Sequence, residues 1–165
     1  MKRFYIPFVA TMLVVFTGCG TTRMSLTSRI ETLPSAGVKK IKADAMFSSA
    51  YEFAITQPVD HNNPKGKKFH QQVFLDYVGP DAPVVVITEG YGVQSNYTSE
   101  LARLLHANQI IIEHRYFEES TPDSVDWRYL TAWQSATDQH DVIELFKPVF
   151  KGRWISTGIA MAERM

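Results

Sequence analysis

The sequence predicts an α/β fold in which a mainly parallel sheet carries flanking helices. Val84-Val85-Val86-Ile87-Thr88 is a continuous β-branched run of the kind buried on both faces of a sheet. Gln109 to Glu113, centred on Ile110-Ile111-Ile112, is a second buried strand, and Trp154-Ile155-Ser156-Thr157 is a short third strand. Stretches of helical period lie between them. Short buried strands alternating with helices need crossover connections, and crossovers make neighbouring strands parallel.

Taken in order, the chain opens with Lys2 and Arg3 followed by an almost wholly apolar stretch from Phe4 to Phe16. Thr17-Gly18-Cys19-Gly20 then places small residues around the only cysteine. This is the layout of a bacterial secretory signal over residues 1–19, and the apolar run is short of the roughly 20 residues a spanning helix needs. Phe16-Thr17-Gly18-Cys19 also resembles a lipobox, which makes Cys19 a candidate for lipidation and the chain an exported, cell-envelope protein. An ordinary signal peptide with an incidental cysteine is the alternative. Residues 20–43, rich in Ser, Thr and Lys with little periodicity, read as a tether, and residues 44–165 as a partial catalytic-type domain.

Within that domain Phe69, Gln71, Val73, Leu75 and Tyr77 alternate with His70, Gln72, Phe74 and Asp76, the period of a strand near a sheet edge and antiparallel to its neighbour. Gly79-Pro80-Asp81-Ala82-Pro83 is a turn. After the first buried run, Glu89-Gly90-Tyr91-Gly92 breaks the strand, and Leu101, Leu104 and Leu105 recur at helical spacing. Leu130, Trp133, Ala136, His140, Ile143 and Phe146 predict a longer helix with one apolar stripe, Asp126 as its N-cap, and Pro148 and Gly152 beyond its end. His140 on that stripe reads as a hydrogen-bonded core residue. His61, inside Asp60-His61-Asn62-Asn63-Pro64, reads as a turn-former.

Seventeen basic side chains balance seventeen acidic ones, which leaves no electrostatic reason to expect a nucleic-acid partner. A single cysteine excludes an internal disulfide and cysteine-cluster metal sites, and the five histidines show no ligand spacing. No phosphate-cradling glycine loop occurs, so neither a metal nor an organic cofactor is expected.

In open sheets of this kind, active sites lie at the carboxyl ends of the strands. Three such ends are visible: Glu89 to Gly92, His114 to Tyr116, and Gly158 onward. Gly158-Ile159-Ala160-Met161-Ala162 has the outline of the G-x-S-x-G elbow, on which a serine nucleophile is exposed by a tight strand-to-helix turn. Ala160, however, stands at the serine position and Ala162 at the second glycine.

Several blocks, in order, sharpen this. Gln57-Pro58-Val59-Asp60-His61-Asn62-Asn63-Pro64, Gly90-Tyr91-Gly92-Val93, Glu113-His114-Arg115-Tyr116-Phe117, Asp126-Trp127-Arg128-Tyr129-Leu130-Thr131 and Trp154-Ile155-Ser156-Thr157-Gly158 resemble the secreted bacterial tripeptidyl aminopeptidase family. Its members are α/β-hydrolase serine peptidases related to prolyl carboxypeptidases. The resemblance covers roughly Phe53 to Ile159. It implies the N-terminal portion of an α/β-hydrolase fold, cut at the nucleophile elbow, and a parent activity of removing peptides from a peptide's N-terminus through an acyl-serine. It implies oxyanion donors at Gly90, Tyr91 and Met161, with Ala160 where the family has its serine. An aminopeptidase must also hold an ammonium group, for which Glu113, Glu118 and Glu119 are candidates; a salt bridge to Arg115 or plain solvation is the alternative.

The departure at Ala160 has a candidate cause. Met161-Ala162 must be encoded ATG-GCN, and one base earlier that stretch reads GGC, glycine. If Ile159 is ATA, the same frame reads AGC, serine, two places before it. Loss of one base would then convert Gly-Ile-Ser-x-Gly into the present sequence, leaving an inactive, frameshifted fragment. A small exported lipoprotein that binds a ligand or scaffold, without any need of the serine, is the other reading.

Overall fold

The computed structural model describes residues 26–159. Strands β1 (Gly37–Ile41), β2 (Ser49–Pro58), β3 (Lys68–Tyr77), β4 (Val84–Glu89), β5 (Asn108–Ile112) and β6 (Trp154–Ile159) form one sheet in the order β1-β2-β3-β5-β4-β6. Helices α1 (Leu26–Glu31), α2 (Glu100–Leu105) and α3 (Ala132–Phe146) flank it, with short 3-10 turns at Glu118–Ser120 and Trp127–Tyr129.

The sheet is mixed rather than mainly parallel. β1–β2, β2–β3 and β3–β5 are antiparallel, and only β4–β5 and β4–β6 are parallel. The reason is local. β2 and β3 are joined by the tight segment around Asp60 to Gly66, where Val59 N–H donates to the Lys67 carbonyl at 2.9 Å and Asn63 N–H to that of Asp60 at 2.9 Å. A connection that short forms a hairpin, whereas α2 and α3 supply the crossovers that parallel pairing demands. β3 is antiparallel as its alternation suggested, but it lies inside the sheet between β2 and β5.

Residues 26–43 are more than a tether: they carry α1, whose Ile30 is buried, and β1, which pairs along β2. β2 had no counterpart in the sequence reading, although Tyr51, Phe53 and Ile55 alternate there with Glu52, Ala54 and Thr56.

Apolar side chains collect on both faces of the sheet. On one face Tyr51, Phe53, Val73, Leu75, Val86, Ile110 and Ile112 meet Ile30, Val142, Phe146 and Phe150. On the other, Phe74, Val85, Ile87 and Ile111 meet Val93 and Ala107, with Leu101 and Leu105 packed alongside. The continuous β-branched runs of β4 and β5 thus feed both cores, as two-sided burial requires. Leu104, in contrast, is 78% exposed.

Helix α3 differs from its predicted stripe. Its N-cap is Thr131, whose side chain accepts from Gln134 N–H; Asp126 caps the 3-10 turn before it instead. Its buried face is Gln134, Ser135, Asp138, Val142 and Phe146, while Trp133, Ala136 and His140 are exposed. His140 is therefore not a core residue. The first half of the buried face is polar because it bonds to Asp60, His61, His114 and Arg115, and that polarity hid it from a search for apolar period.

Candidate active-site edge of the sheet

The parallel register Thr88↔Gly158 and Glu89↔Ile159 brings the carboxyl ends of β4 and β6 side by side. Gly90 and Tyr91 leave the sheet at this edge, next to the end of β5 and the loop that follows it. Ala160, Met161 and Cys19 lie outside the described residues.

Glu113 organises the first two loops. It is fully buried, and its two carboxylate oxygens are occupied. Oε1 accepts from Val93 N–H at 2.7 Å, and Oε2 accepts from Ser120 N–H at 2.9 Å and Ser120 Oγ–H at 2.6 Å. Burial pushes its carboxyl above the usual range, against the pull of those donors. The expectation that Glu113 meets a substrate amine therefore gives way to a structural one: it ties the segment after β4 to the segment after β5. His114 N–H adds a bond to the Tyr91 carbonyl at 3.3 Å, and Tyr91 stacks edge-on against Phe117 at 5.3 Å. Gly92 lies close under Glu118: a Cβ there would be 2.3 Å from Glu118 Cγ and would have to displace that exposed side chain.

Arg115, also fully buried, is the centre of a second knot. Its Nε and Nη2 donate to Asp138 Oδ2 and Oδ1 at 2.7 and 2.9 Å, a bidentate pair. Nη1 donates to the carbonyls of Val59 (3.0 Å) and Tyr129 (2.8 Å), and Nη2 to that of Pro58 (3.2 Å). The guanidinium lies 5.3 Å from the Phe69 ring centre and 5.7 Å from that of Tyr116. A buried ion pair holds only when its remaining donors are used, and here they are. Arg115 does not pair with the neighbouring glutamates.

His61 joins the same knot, with Nε2 2.7 Å from Asp138 Oδ1. Its turn is formed as expected, Asp60 Oδ1 accepting from Asn62 N–H at 2.9 Å, but the imidazole adds a link from the β2–β3 turn to α3. Gln134 doubles that link, accepting from His61 N–H at 2.9 Å and donating to Asp60 at 3.0 Å. His114 Nδ1 is 2.8 Å from the Arg115 carbonyl, which can only accept, so Nδ1 carries the proton and the Ser135 hydroxyl, 3.1 Å from Nε2, donates to it in the neutral ring. With a carbonyl in place of a carboxylate behind the ring and Ser135 buried, this pair orients the loop.

The loop itself is strained: Tyr116 and Glu118 have φ of 70° and 35°, in the left-handed region that bulky residues avoid. Packing against Arg115 and a hydrogen bond from Tyr116 Oη to the Asp126 carbonyl (3.1 Å) hold it there. The strain turns Glu118 and Glu119 outward, where both are exposed and rim a concavity of about 330 Å3 with Lys68, His70 and Asp123.

Sequence reading found most of these residues as members of ordered blocks. It missed Asp138, Gln134 and Ser135, whose signal was a polar period of three and four on α3. Among the described residues no group of three or more His, Cys, Asp or Glu is arranged to hold a metal, and no helix is long and apolar enough to cross a membrane.

A family model described as PS-10 peptidase S37 matches residues 23–164. The prolyl tri/tetrapeptidyl aminopeptidase of Streptomyces mobaraensis is 42% identical over 103 residues, 62% of this chain and 22% of that protein. "Probable serine protease EDA2" of Arabidopsis thaliana is 28% identical over 117 residues, 64% of this chain and 24% of that protein. The chain thus spans about a quarter of the length of these relatives. Among solved structures, an acetyl xylan esterase from Paenibacillus sp. R4 aligns at TM-score 0.48 and 15% identity, over 81% of this chain and 48% of that one.

Proposed function

The chain belongs to the PS-10 peptidase S37 family, and from that premise we propose that it is the N-terminal part of an α/β-hydrolase-type serine exopeptidase, acting on peptides from their N-terminus outside the cytoplasm. The observation that supports this most is the juxtaposition of the β4 and β6 carboxyl ends, with the β4 exit pinned by buried Glu113. In acyl transfer a serine attacks the scissile carbonyl, and backbone N–H groups receive the charge that develops on its oxygen. Gly90 and Tyr91 are the proposed donors on the β4 side and Met161 the one beyond β6. Fixed donors stabilise that charge without reorganising, which gives the Glu113 and Arg115 knots a purpose. Glu118 and Glu119 are the proposed partners for a substrate ammonium, with Glu113 withdrawn from that role by burial. Cys19 remains the proposed lipid anchor.

The chain as written has Ala160 at the nucleophile position, and an alanine forms no acyl-enzyme. We therefore expect it to be inactive and the one-base-restored gene product to be active. The test is release of p-nitroaniline from tripeptidyl anilides ending in proline, together with labelling by a fluorophosphonate. The restored product should cleave substrates with a free N-terminus and take the label, and the chain as written should do neither. Cleavage by the chain as written, or a restored product inert to both, would overturn the reading.

A further inference from the structure

The segment that runs from Gly90 to α2 is held down by an unusual device. Three consecutive side chains each donate to a different carboxylate. Asn96 Nδ2 donates to Asp76 Oδ1 at 2.6 Å, Tyr97 Oη to Glu89 Oε1 at 2.5 Å, and Thr98 Oγ1 to Asp44 Oδ2 at 3.0 Å. Asp76 is the buried member, 1% exposed on β3, and its second oxygen accepts from Gln109 Nε2 of β5 at 2.9 Å. Both its oxygens thus face N–H donors, an arrangement suited to a carboxylate and unsuited to a carboxylic acid, whose proton would need an acceptor.

The surroundings do not favour the charge. Opposite Asp76 on β2 is Ala50, and the charged group that acts on it most is another carboxylate, Asp44. Arg103 of α2 acts on Asp44, and Glu89 is engaged by Tyr97. Burial pushes the Asp76 carboxyl up to about 6, outweighing the two donors. On the loop side, Asn96 Oδ1 is buried without a hydrogen-bond partner. Gln109 is fixed three ways, since it also donates to the Tyr97 carbonyl at 2.6 Å and accepts from Ser99 N–H at 2.8 Å. Asn96 is the group free to leave when a proton arrives.

We propose that Asp76 and Asn96 form a proton-operated latch on the segment from Tyr91 to Ser99, closed when Asp76 is ionised and released when it is protonated. The same segment begins with the proposed oxyanion donors, so release would loosen them; the latch itself rests on the geometry and not on the peptidase reading. At neutral pH Asp76 is charged and the segment is strapped at three points. Below about pH 6 the carboxyl O–H meets two N–H donors, Asn96 turns away, and the strap loses the first of its three points.

Amide hydrogen exchange read by mass spectrometry at micromolar concentration tests this, with rates corrected for the intrinsic pH dependence. Peptides covering residues 91–99 should lose about fivefold or more in protection between pH 7.5 and 5, with a midpoint near 6. Peptides from β3 and β5 should not change. Asp76→Asn removes the titrating group and should abolish the response. Asn96→Ala, a change in the loop that leaves the sheet intact, should give the released level of exchange at both pH values. An unchanged loop in the wild-type chain, or the same response persisting in either variant, would overturn the proposal.

Discussion

At the scale of single residues, the molecule spends its buried charge on holding loops. Asp138 is the clearest instance, because it forms a bidentate ion pair with the fully buried Arg115. Replacing Asp138 with Asn leaves the buried guanidinium with its carbonyl acceptors but without its counter-charge, which costs about 3–5 kcal/mol. Urea denaturation should show a loss of that size; a loss under about 1 kcal/mol would mean the pair contributes little. Asp76 gives the second residue-scale expectation. Its folded-state carboxyl titrates at about 6 against about 3.9 unfolded, so between those values the folded chain holds the extra proton. Its contribution to stability is present at low pH and is lost as pH rises through about 6, a change on the order of 2–3 kcal/mol. The lowered carboxyls of Asp44, Asp60, Asp126 and Glu144 contribute the other way, mostly below pH 4, outside this window. The buried Glu113 carboxyl, also raised, acts in the same direction as Asp76. Asp76→Asn should therefore reduce the fall of stability with pH between 4 and 6 without abolishing it, and an unchanged slope would remove Asp76 as a cause.

At the scale of elements, α3 shows where sequence reading succeeds and where it stops. Its existence and C-terminal end were legible, since Ile143 and Phe146 do pack on the core and Pro148 lies beyond it. The face was not, because Gln134 bonds to Asp60, Ser135 to His114 and Asp138 to Arg115, residues far away in sequence. A period of apolar residues cannot detect a helix face whose partner is a cation. The consequence is testable by denaturation. Phe146→Ala should cost about 3–5 kcal/mol, as a large core truncation does. His140→Ala should change stability by less than about 0.5 kcal/mol. Equal effects would restore the apolar-stripe description. For the strands the lesson differs. β4 and β5 announced themselves by composition, as two-sided burial favours runs of Val and Ile; β6, at the end of the sheet, is exposed at Ile155, Ser156 and Gly158. β2 was overlooked because half of its residues are polar or small, and its pairing depends on a turn rather than on its own composition. Without β1 and β2 the sheet looked parallel; with them the antiparallel pairs outnumber the parallel ones.

At the scale of the whole molecule, the ordered sequence blocks prove to be parts of one construction. Pro58 and Val59, Glu113 to Phe117, Tyr129 and α3 come from separate stretches and meet around Arg115 and Glu113 at a single edge of the sheet. Such investment in an edge makes sense if backbone donors there must stay fixed while charge develops beside them. That the blocks belonged together was legible from their order. Which side chains joined them was not, since every long-range bond in the knot is set by the fold. The measurement that decides whether this edge serves a serine nucleophile is the nucleotide sequence of the gene, read from the codon of Trp154 to a few hundred bases past that of Met165. The proposal expects an ATA codon at Ile159 and a neighbouring frame that gives serine, one further residue and then paired glycines, and later an aspartate and a histidine. A different isoleucine codon, or a neighbouring frame that closes without those residues, would contradict it.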